Sequence, residues 1–191
     1  MNKLTLIANR LGIDKGTLPE IQGHGYTEVY GDLFEPLLGM PIKMMEIGVY
    51  DPRFPGGSIK LWDEYFPDLY FVGMDINPEA KKFDNDDRTH IFIGDQNSKR
   101  DLIECMYCFG DDFDIIIDDG SHYGEHIIRS FANLFPYVKP GGYYIIEDLH
   151  CVYTHTDVTL PLLDNIIADK EWLVEKTFYC HNKLLVIKKT L

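Results

Sequence analysis

The chain has 191 residues, of which 45% are hydrophobic and 13% aromatic, enough for one domain with a full core. Its formal net charge of −13 argues against partners such as nucleic acid or an anionic membrane, since both favour a basic protein face. No apolar stretch approaches the roughly 20 residues of a membrane span. The first apolar run is interrupted by polar residues, whereas the apolar region of a signal peptide is continuous. We expect a single cytoplasmic domain over 1–191, and a homo-oligomer is compatible with this composition.

Four cysteines are scattered along the chain, which is typical of a reduced, cytoplasmic protein. Only Cys105 and Cys108 have the spacing of a metal or redox pair. They lie within an apolar helical pattern, so packing of the helix is the favoured interpretation.

The predicted elements begin with an N-terminal helical arm, residues 1–40. Apolar spacing predicts two amphipathic helices in it, at 4–11 and 26–38, separated by a glycine-rich loop. The arm either pads one face of a sheet or closes over a ligand, with Lys15, His24 and Tyr26 as contacts.

Residues 41–191 alternate apolar strands with helices, which is typical of a doubly wound α/β core. Strands are predicted at 42–49, 69–76, 90–94, 113–118, 143–147, 172–179 and 183–188, and helices at 59–66, 98–109, 122–135 and 161–170. The last two strands are joined by about three residues, so they pair antiparallel, because a parallel pair needs a crossover of a dozen or more. The prediction is a Rossmann-like, mostly parallel seven-stranded sheet with a C-terminal antiparallel hairpin.

Three strand ends in the first half predict a nucleotide-like ligand. Gly48 opens a glycine-containing loop before a helix that Ser58 can cap, and a helix N-terminus suits an anionic group. Asp75 ends the second strand, where a carboxylate binds ribose hydroxyls in such folds. Asp95 and Gln96 end the third strand, in position to contact an adenine edge.

The loop after the first strand argues against NAD. Residues 49–55 are long, bulky and proline-containing, whereas a diphosphate needs closely spaced glycines. Glu46, just before this loop, favours a cationic ligand. S-adenosylmethionine has a sulfonium, an ammonium, a ribose and an adenine, and no phosphate.

Two later strands each end in paired acids followed by a histidine: Asp118-Asp119 with His122, and Glu147-Asp148 with His150. Carboxylates that converge from neighbouring strands repel one another, and a hard divalent cation removes that cost. Oxygen ligands without cysteine indicate Mg²⁺, Mn²⁺ or Ca²⁺ at Asp119, Glu147 and Asp148. The alternative is that Asp118 and Glu147 are helix and turn caps.

His122 follows Asp119 by three residues, close to the predicted metal without having to ligate it. That position suits a general base that deprotonates an alcohol. A capping or surface histidine is the alternative role, and Asp119 is the second candidate for the base. The stretch 151–160, with Tyr153 and His155, is interpreted as a substrate lid.

Together these motifs resemble the class I S-adenosylmethionine-dependent methyltransferases. More narrowly, the chain looks like the metal-dependent sugar O-methyltransferases of macrolide tailoring and their cephalosporin-hydroxylase-like relatives. The stretches that carry the resemblance are Asp14-Lys15-Gly16, His24-Gly25-Tyr26-Thr27, Glu46-Ile47-Gly48-Val49, Gly56-Gly57-Ser58, Gly94-Asp95-Gln96, Ile117-Asp118-Asp119-Gly120-Ser121-His122, Pro140-Gly141-Gly142 and Glu147-Asp148-Leu149.

The resemblance implies a site as well as a fold. The predicted cofactor contacts are Lys15, Tyr26, Glu46, Gly48, Ser58, Asp75, Asp95, Gln96 and Asp118. Asp119, Glu147 and Asp148 would hold the divalent metal, with His122 or Asp119 as the catalytic base.

The function implied is methylation of a hydroxyl on a small-molecule sugar or glycoside, dependent on S-adenosylmethionine and a divalent metal. The macrolide enzymes carry an added N-terminal region, so the acceptor itself is not implied. Two alternatives stay open. A metal-assisted phenol or catechol O-methyltransferase would need an apolar slot over the metal, and a non-catalytic nucleotide-binding module would not need the acids and the histidine.

Overall fold

The structure is a computed structural model, and it describes residues 1–85, 87–150 and 156–190. Its strands are β1 (Ile42–Ile47), β2 (Leu69–Asp75), β3 (Thr89–Ile93), β4 (Phe113–Asp118), β5 (Val138–Ile146), β6 (Val174–Tyr179) and β7 (Leu184–Lys189). Its α-helices are α1 (Lys3–Leu11), α2 (Tyr26–Phe34), α3 (Gly57–Tyr65), α4 (Lys99–Phe109), α5 (Gly124–Leu134) and α6 (Thr156–Asp169). Four short 3-10 helices lie at Pro19–Ile21, Glu35–Leu37, Pro78–Phe83 and Phe135–Tyr137. The predicted lid residues Tyr153 and His155 lie outside the described residues.

One seven-stranded sheet organises the chain, in the order β3-β2-β1-β4-β5-β7-β6. All neighbouring pairs from β3 to β5 are parallel, and β7 runs antiparallel to both β5 and β6. The predicted fold class is thus confirmed, and the antiparallel strand of the hairpin lies inside the sheet. The reason is burial: β7 begins with four buried apolar residues, whereas the middle of β6 is exposed and suits an edge.

The register brings the candidate residues together at one edge of the sheet. Ile47 pairs with Asp118, and Asp118 pairs with Ile146. The residues that follow these strand ends therefore lie side by side. The order of the strands reverses between β1 and β4, which is where doubly wound folds bind their ligands.

The core lies on both faces of the sheet. The arm helices α1 and α2 pack with α3 on one face, around Tyr30, Phe34 and Trp62, all fully buried. Helices α4, α5 and α6 cover the other face, around Phe131 and Tyr144. No helix in the described ranges is both long and apolar enough to cross a membrane.

Several element boundaries differ from those predicted, and two of the differences have a clear physical reason. Helix α5 begins at Gly124 and not at His122, because His122 has a φ of 58° and cannot continue into a right-handed helix. Strand β5 begins at Val138 and runs through Pro140 and Gly141, and its register with β4 shifts at that point. The residues before the predicted strand 143–147 therefore belong to β5, with a bulge in its pairing with β4.

Candidate functional site

A cavity of about 600 Å³ lies beyond the carboxyl ends of the first four strands. The predicted site residues in its wall are Lys15, Gly48, Ser58, Asp75, Asp95, Gln96, Asp119, His122 and Asp148. Tyr26, Glu46, Asp118 and Glu147 are not in the wall. The structure therefore divides the predicted residues into those that face a ligand and those that support them.

Asp75 and Asp95 mark the part of the cavity beyond β2 and β3. The Asp75 carboxylate accepts backbone hydrogen bonds from Tyr50 and Asn77, both at 2.8 Å. Asp95 accepts one from the backbone of Asn97 at 2.7 Å. These bonds fix both carboxylates at the cavity wall.

Asp118 and Gln96 form a buried link beneath the cavity. Gln96 Nε2 donates to Asp118 Oδ1 at 2.5 Å, and Gln96 Oε1 accepts from the backbone of Ser121 at 3.0 Å. The hydroxyls of Ser130 and Tyr144 also donate hydrogen bonds to Asp118. Burial raises the pKa of Asp118. Asp118 is only 2% exposed and is not part of the cavity wall, so the cofactor contact predicted for it stays a prediction. Successive strand side chains point to opposite faces, so only one of the two adjacent acids can face the ligand.

Ser58 differs from its predicted capping role, and Glu46 lies beside it. Gly56, at a φ of 65°, takes the N-cap position of α3, and Ser58 makes no capping bond. Ser58 lies close to Glu46, which accepts a hydrogen bond from Trp62 Nε1 at 3.1 Å. Glu46 is fully buried and lies beneath the cavity wall, and its contact with a cofactor stays a prediction.

Lys15 is surrounded by acids. Its Nζ lies 2.5 Å from Asp119 Oδ2, 2.6 Å from Glu147 Oε2 and 3.3 Å from Glu46 Oε1. Burial alone would lower the pKa of Lys15, but the three carboxylates raise it well above its ordinary value. The side chain is therefore an ammonium at the centre of the acid cluster. Lys15 is buried, with 4% of its surface exposed.

Glu147 points into the protein. Its Oε1 accepts a hydrogen bond of 2.6 Å from the Tyr30 hydroxyl, and its Oε2 is bonded to Lys15. The residue is 2% exposed, and burial, together with neighbouring Asp119, raises its pKa well above the usual value. Both of its oxygens are thus engaged by the N-terminal arm.

Asp148 is held by the same arm but faces the cavity. Its Oδ1 accepts from the Tyr26 hydroxyl at 2.5 Å and lies 3.2 Å from His24 Nδ1. Burial would raise the pKa of Asp148, but hydrogen bonds from His24 and Tyr26 bring it well below its ordinary value. Tyr26 positions this carboxylate, and the cofactor contact predicted for it stays a prediction.

Two overlapping groups of residues could hold a cation. Ligand atoms of Asp119, His122 and Asp148 all lie within 4.8 Å of one another, as do those of Glu46, Asp119 and Glu147. The first group faces the cavity, and two carboxylates with one imidazole suit a divalent cation. Glu147, the third predicted ligand, belongs to the second group, where Tyr30 and Lys15 contact it, and its role as a metal ligand stays a prediction.

Sequence reasoning missed several supporting residues. Tyr30, Trp62 and Ser130 each donate a hydrogen bond to an acid beneath the cavity. Tyr30 and Trp62 occupy apolar faces of amphipathic helices, so the sequence pattern indicates only packing for them. No local signal identifies their polar ends as functional.

We compared the chain with known proteins. No protein-family model matches it. It is 39% identical over 133 residues to demethylmacrocin O-methyltransferase of Streptomyces fradiae, covering 68% of this chain and 33% of that protein. It is 35% identical over 150 residues to 8-demethyl-8-alpha-L-rhamnosyl tetracenomycin-C 2'-O-methyltransferase of Streptomyces olivaceus, and the alignment covers 77% of this chain and 38% of that protein. The chain thus spans little more than a third of the length of these relatives.

Solved structures agree with these relatives. MycE methyltransferase from the mycinamycin biosynthetic pathway, in complex with Mg and SAH, superposes with a TM-score of 0.78 at 27% identity. Its complex with Mg, SAH and Mycinamycin VI gives 0.80 at 28% identity. Each superposition covers 98% of this chain and 54% of the MycE chain.

The sheet order, the hairpin and these superpositions define a class I S-adenosylmethionine-dependent methyltransferase fold. Within that class, the chain is related in sequence to the sugar O-methyltransferases of macrolide and tetracenomycin pathways.

Proposed function

We propose that the protein transfers a methyl group from S-adenosylmethionine to a hydroxyl of a sugar or glycoside, with the help of a divalent cation such as Mg²⁺. The observation that carries the proposal is the cavity. It joins the fixed carboxylates of Asp75 and Asp95 to the group formed by Asp119, His122 and Asp148. A cofactor part and an acceptor part thus share one space.

The cofactor part suits an adenosyl group. Asp75 would bind the ribose hydroxyls, and Asp95 lies one strand further along, in position for the adenine. Gly48 carries no side chain, so the backbone beyond β1 can approach the ligand closely. Lys15, Ser58 and Gln96 contribute to the same wall.

In the acceptor part, Asp119 and Asp148 would hold the cation with His122 beside them. The cation, when bound, supplies positive charge that favours ionisation of an acceptor hydroxyl. His122 Nε2 lies 4.0 Å from Asp119 Oδ1 and 3.8 Å from Asp148 Oδ2. We assign it to take the hydroxyl proton as the oxygen bonds to the methyl carbon and the carbon–sulfur bond breaks, leaving a neutral thioether. Asp119 is less suited to be the base, because Lys15 engages its Oδ2.

The relatives favour a sugar acceptor. Three of them are named O-methyltransferases of rhamnosyl or olivosyl compounds, and one MycE structure holds Mycinamycin VI. The wall around Asp119, His122 and Asp148 includes Lys15 and Ser121, and this polar lining suits a polyol better than a phenol.

The test is methyl transfer from isotopically labelled S-adenosylmethionine to a panel of glycosides and catechols. We expect labelled glycoside with Mg²⁺, loss of label with excess chelator, and little labelled catechol. Full transfer after exhaustive chelation would contradict the metal assignment. Stabilisation by NADH but not by S-adenosylhomocysteine would contradict the reaction class.

A further inference from the structure

His126 lies in the wall of the cavity, and the proposed methyl transfer gives it no role. It belongs to the first turn of α5, and its Nδ1 is hydrogen-bonded to the Ser121 hydroxyl at 2.7 Å. The Tyr123 ring packs against the imidazole, with ring centroids 5.2 Å apart. Because Nδ1 is engaged within the protein, Nε2 is the nitrogen that can serve a ligand.

Ser121 is held in turn by the buried link between Gln96 and Asp118. Gln96 Nε2 donates to Asp118 Oδ1 at 2.5 Å, and Gln96 Oε1 accepts from the Ser121 amide at 3.0 Å. The reversed side-chain amide would place an oxygen against a carboxylate and an N–H group against another N–H group. Gly120 is packed closely on this amide, since an added Cβ would lie 2.3 Å from Gln96 Oε1. A continuous chain of contacts therefore runs from Asp118 to His126.

The contacts of the Ser121 hydroxyl favour one tautomer of His126. The Tyr123 amide donates to Ser121 Oγ at 3.5 Å, so this oxygen is already an acceptor. Donation of the hydroxyl proton to His126 Nδ1 completes its hydrogen bonding. In a neutral imidazole whose Nδ1 accepts, Nε2 carries the proton, so His126 presents an N–H donor.

This part of the wall is complementary to one edge of an adenine. Asp95 directly precedes Gln96, to which the Ser121 backbone is bonded, so the Asp95 carboxylate and the His126 imidazole belong to the same region of the cavity. Adenine presents an amino donor beside a ring nitrogen that accepts. A carboxylate and an N–H donor offer the opposite pattern. Met74 lies in the same wall and adds apolar surface for the ring.

We propose that His126 is a specificity-determining residue for the cofactor. Its Nε2–H group donates to a ring nitrogen of the adenine, N1 or N7, while the Asp95 carboxylate accepts from the adjacent amino group. Hypoxanthine has an oxygen in place of the amino group, and this oxygen would face the carboxylate as a second acceptor. The inference rests on the proposed function and deepens it, because it assigns selection of the base to residues that follow two different strands.

The test is calorimetric binding of four ligands to the full chain: S-adenosylhomocysteine, its 1-deaza and 7-deaza analogues, and S-inosylhomocysteine. His126→Phe removes both ring nitrogens and keeps an aromatic ring against Tyr123, whereas His126→Gln keeps an N–H donor. We expect His126→Phe to bind S-adenosylhomocysteine about tenfold more weakly than wild type, because the adenine nitrogen loses its partner. His126→Gln should keep most of the affinity. His90→Phe, at a histidine that stacks on Phe109, is the control and should bind all four ligands as wild type does.

The deaza analogues separate recognition from packing. One of them lacks the accepting nitrogen, so wild type should bind it about tenfold more weakly than S-adenosylhomocysteine. His126→Phe should bind that analogue and S-adenosylhomocysteine equally well, since the same hydrogen bond cannot be lost twice. The preference of wild type for S-adenosylhomocysteine over S-inosylhomocysteine should also decrease in His126→Phe. Equal losses for S-adenosylhomocysteine and both deaza analogues, or no loss at all, overturn the proposal. Wild type that binds no S-adenosylhomocysteine overturns the proposed function as well.

A second measurement covers the case in which His126→Phe does not fold. Nitrogen-15 NMR of the histidine rings reports which nitrogen carries the proton, and the spectrum of His126→Gln identifies the resonances of His126. We expect the proton on Nε2 in wild type, a shift of the Nε2 resonance on addition of S-adenosylhomocysteine, and a mixture of tautomers in Ser121→Ala. A proton on Nδ1 in the wild-type complex, or an Nε2 resonance that the ligand does not move, overturns the proposal.

Discussion

Gly48 and Asp119 are in backbone contact at the point where the strand order reverses. A Cβ atom on Gly48 would lie 2.0 Å from the Asp119 carbonyl oxygen. Gly48 also has a φ of 84°, which side chains of L residues rarely adopt. The loops that follow β1 and β4 can meet at the cavity only because this residue is glycine.

Gly48→Ala should therefore displace the Asp119 loop and lower both stability and cofactor binding. We expect a loss of roughly 3 kcal/mol or more in the free energy of unfolding, from strain plus overpacking. Gly39→Ala is the matched control, because Gly39 has the same φ of 84° with no atom within 4 Å of an added Cβ. It should cost about 1–2 kcal/mol and leave binding of S-adenosylhomocysteine unchanged. Urea unfolding measures the free energy of unfolding, and calorimetry measures the binding of S-adenosylhomocysteine. If Gly48→Ala and Gly39→Ala change both quantities equally, the contact between Gly48 and Asp119 is unimportant.

Asp75→Asn should weaken binding of S-adenosylhomocysteine by about tenfold or more, because a charged acceptor for the ribose hydroxyls is lost. The Asp75 carboxylate also holds the backbone of Tyr50, so the loop beyond β1 should loosen as well. Asp68→Asn, at an exposed acid just before β2, is the control and should bind normally. Isothermal titration calorimetry measures both, and unchanged affinity in Asp75→Asn would remove Asp75 from the cofactor site.

His122→Asn should separate the base from the metal group. Asparagine tolerates the left-handed backbone at this position, so the fold should be kept while the imidazole is lost. We expect near-normal binding of S-adenosylhomocysteine and a loss of turnover on the order of 10²-fold or more. Asp148→Asn should lose metal as well as turnover.

His90→Asn is the control for loss of a histidine, since His90 stacks on Phe109 away from the cavity. It should keep full turnover. If His122→Asn keeps most of its turnover while Asp119→Asn with bound metal is inactive, Asp119 is the base and the role given to His122 is wrong.

Cys105 and Cys108 should differ sharply in reactivity. Burial raises the pKa of Cys105 to about 12, whereas Cys108 is exposed. At pH 8 only about 10⁻⁴ of the Cys105 side chain would be thiolate, the reactive form. Iodoacetamide labelling mapped by mass spectrometry should modify Cys108 in the folded protein and Cys105 only after unfolding. Equal labelling of both would contradict the packing role of this helix.

Much of the fold follows from local pattern. The apolar run at 113–118 and the short link before β7 are enough to predict a buried strand and a terminal hairpin, because periodicity and connection length are local properties. The position of β7 inside the sheet is not local. It depends on which hairpin strand has the more apolar surface to bury against both neighbours.

The candidate site divides in the same way. The sequence by itself determined that Asp119 and Asp148 follow neighbouring strands, and hence that they meet at one edge of the sheet. Only the tertiary structure decided which acid of each pair faces the cavity. Asp118 and Glu147 turn inward because partners from distant segments, among them Ser130 and Tyr30, satisfy them there. The place of Lys15, whose contact with Glu147 spans 132 positions in the chain, was likewise decided by the packing of the arm onto the sheet. Hydrogen bonds and charges act through space, so residues far apart in the chain set the role of each acid.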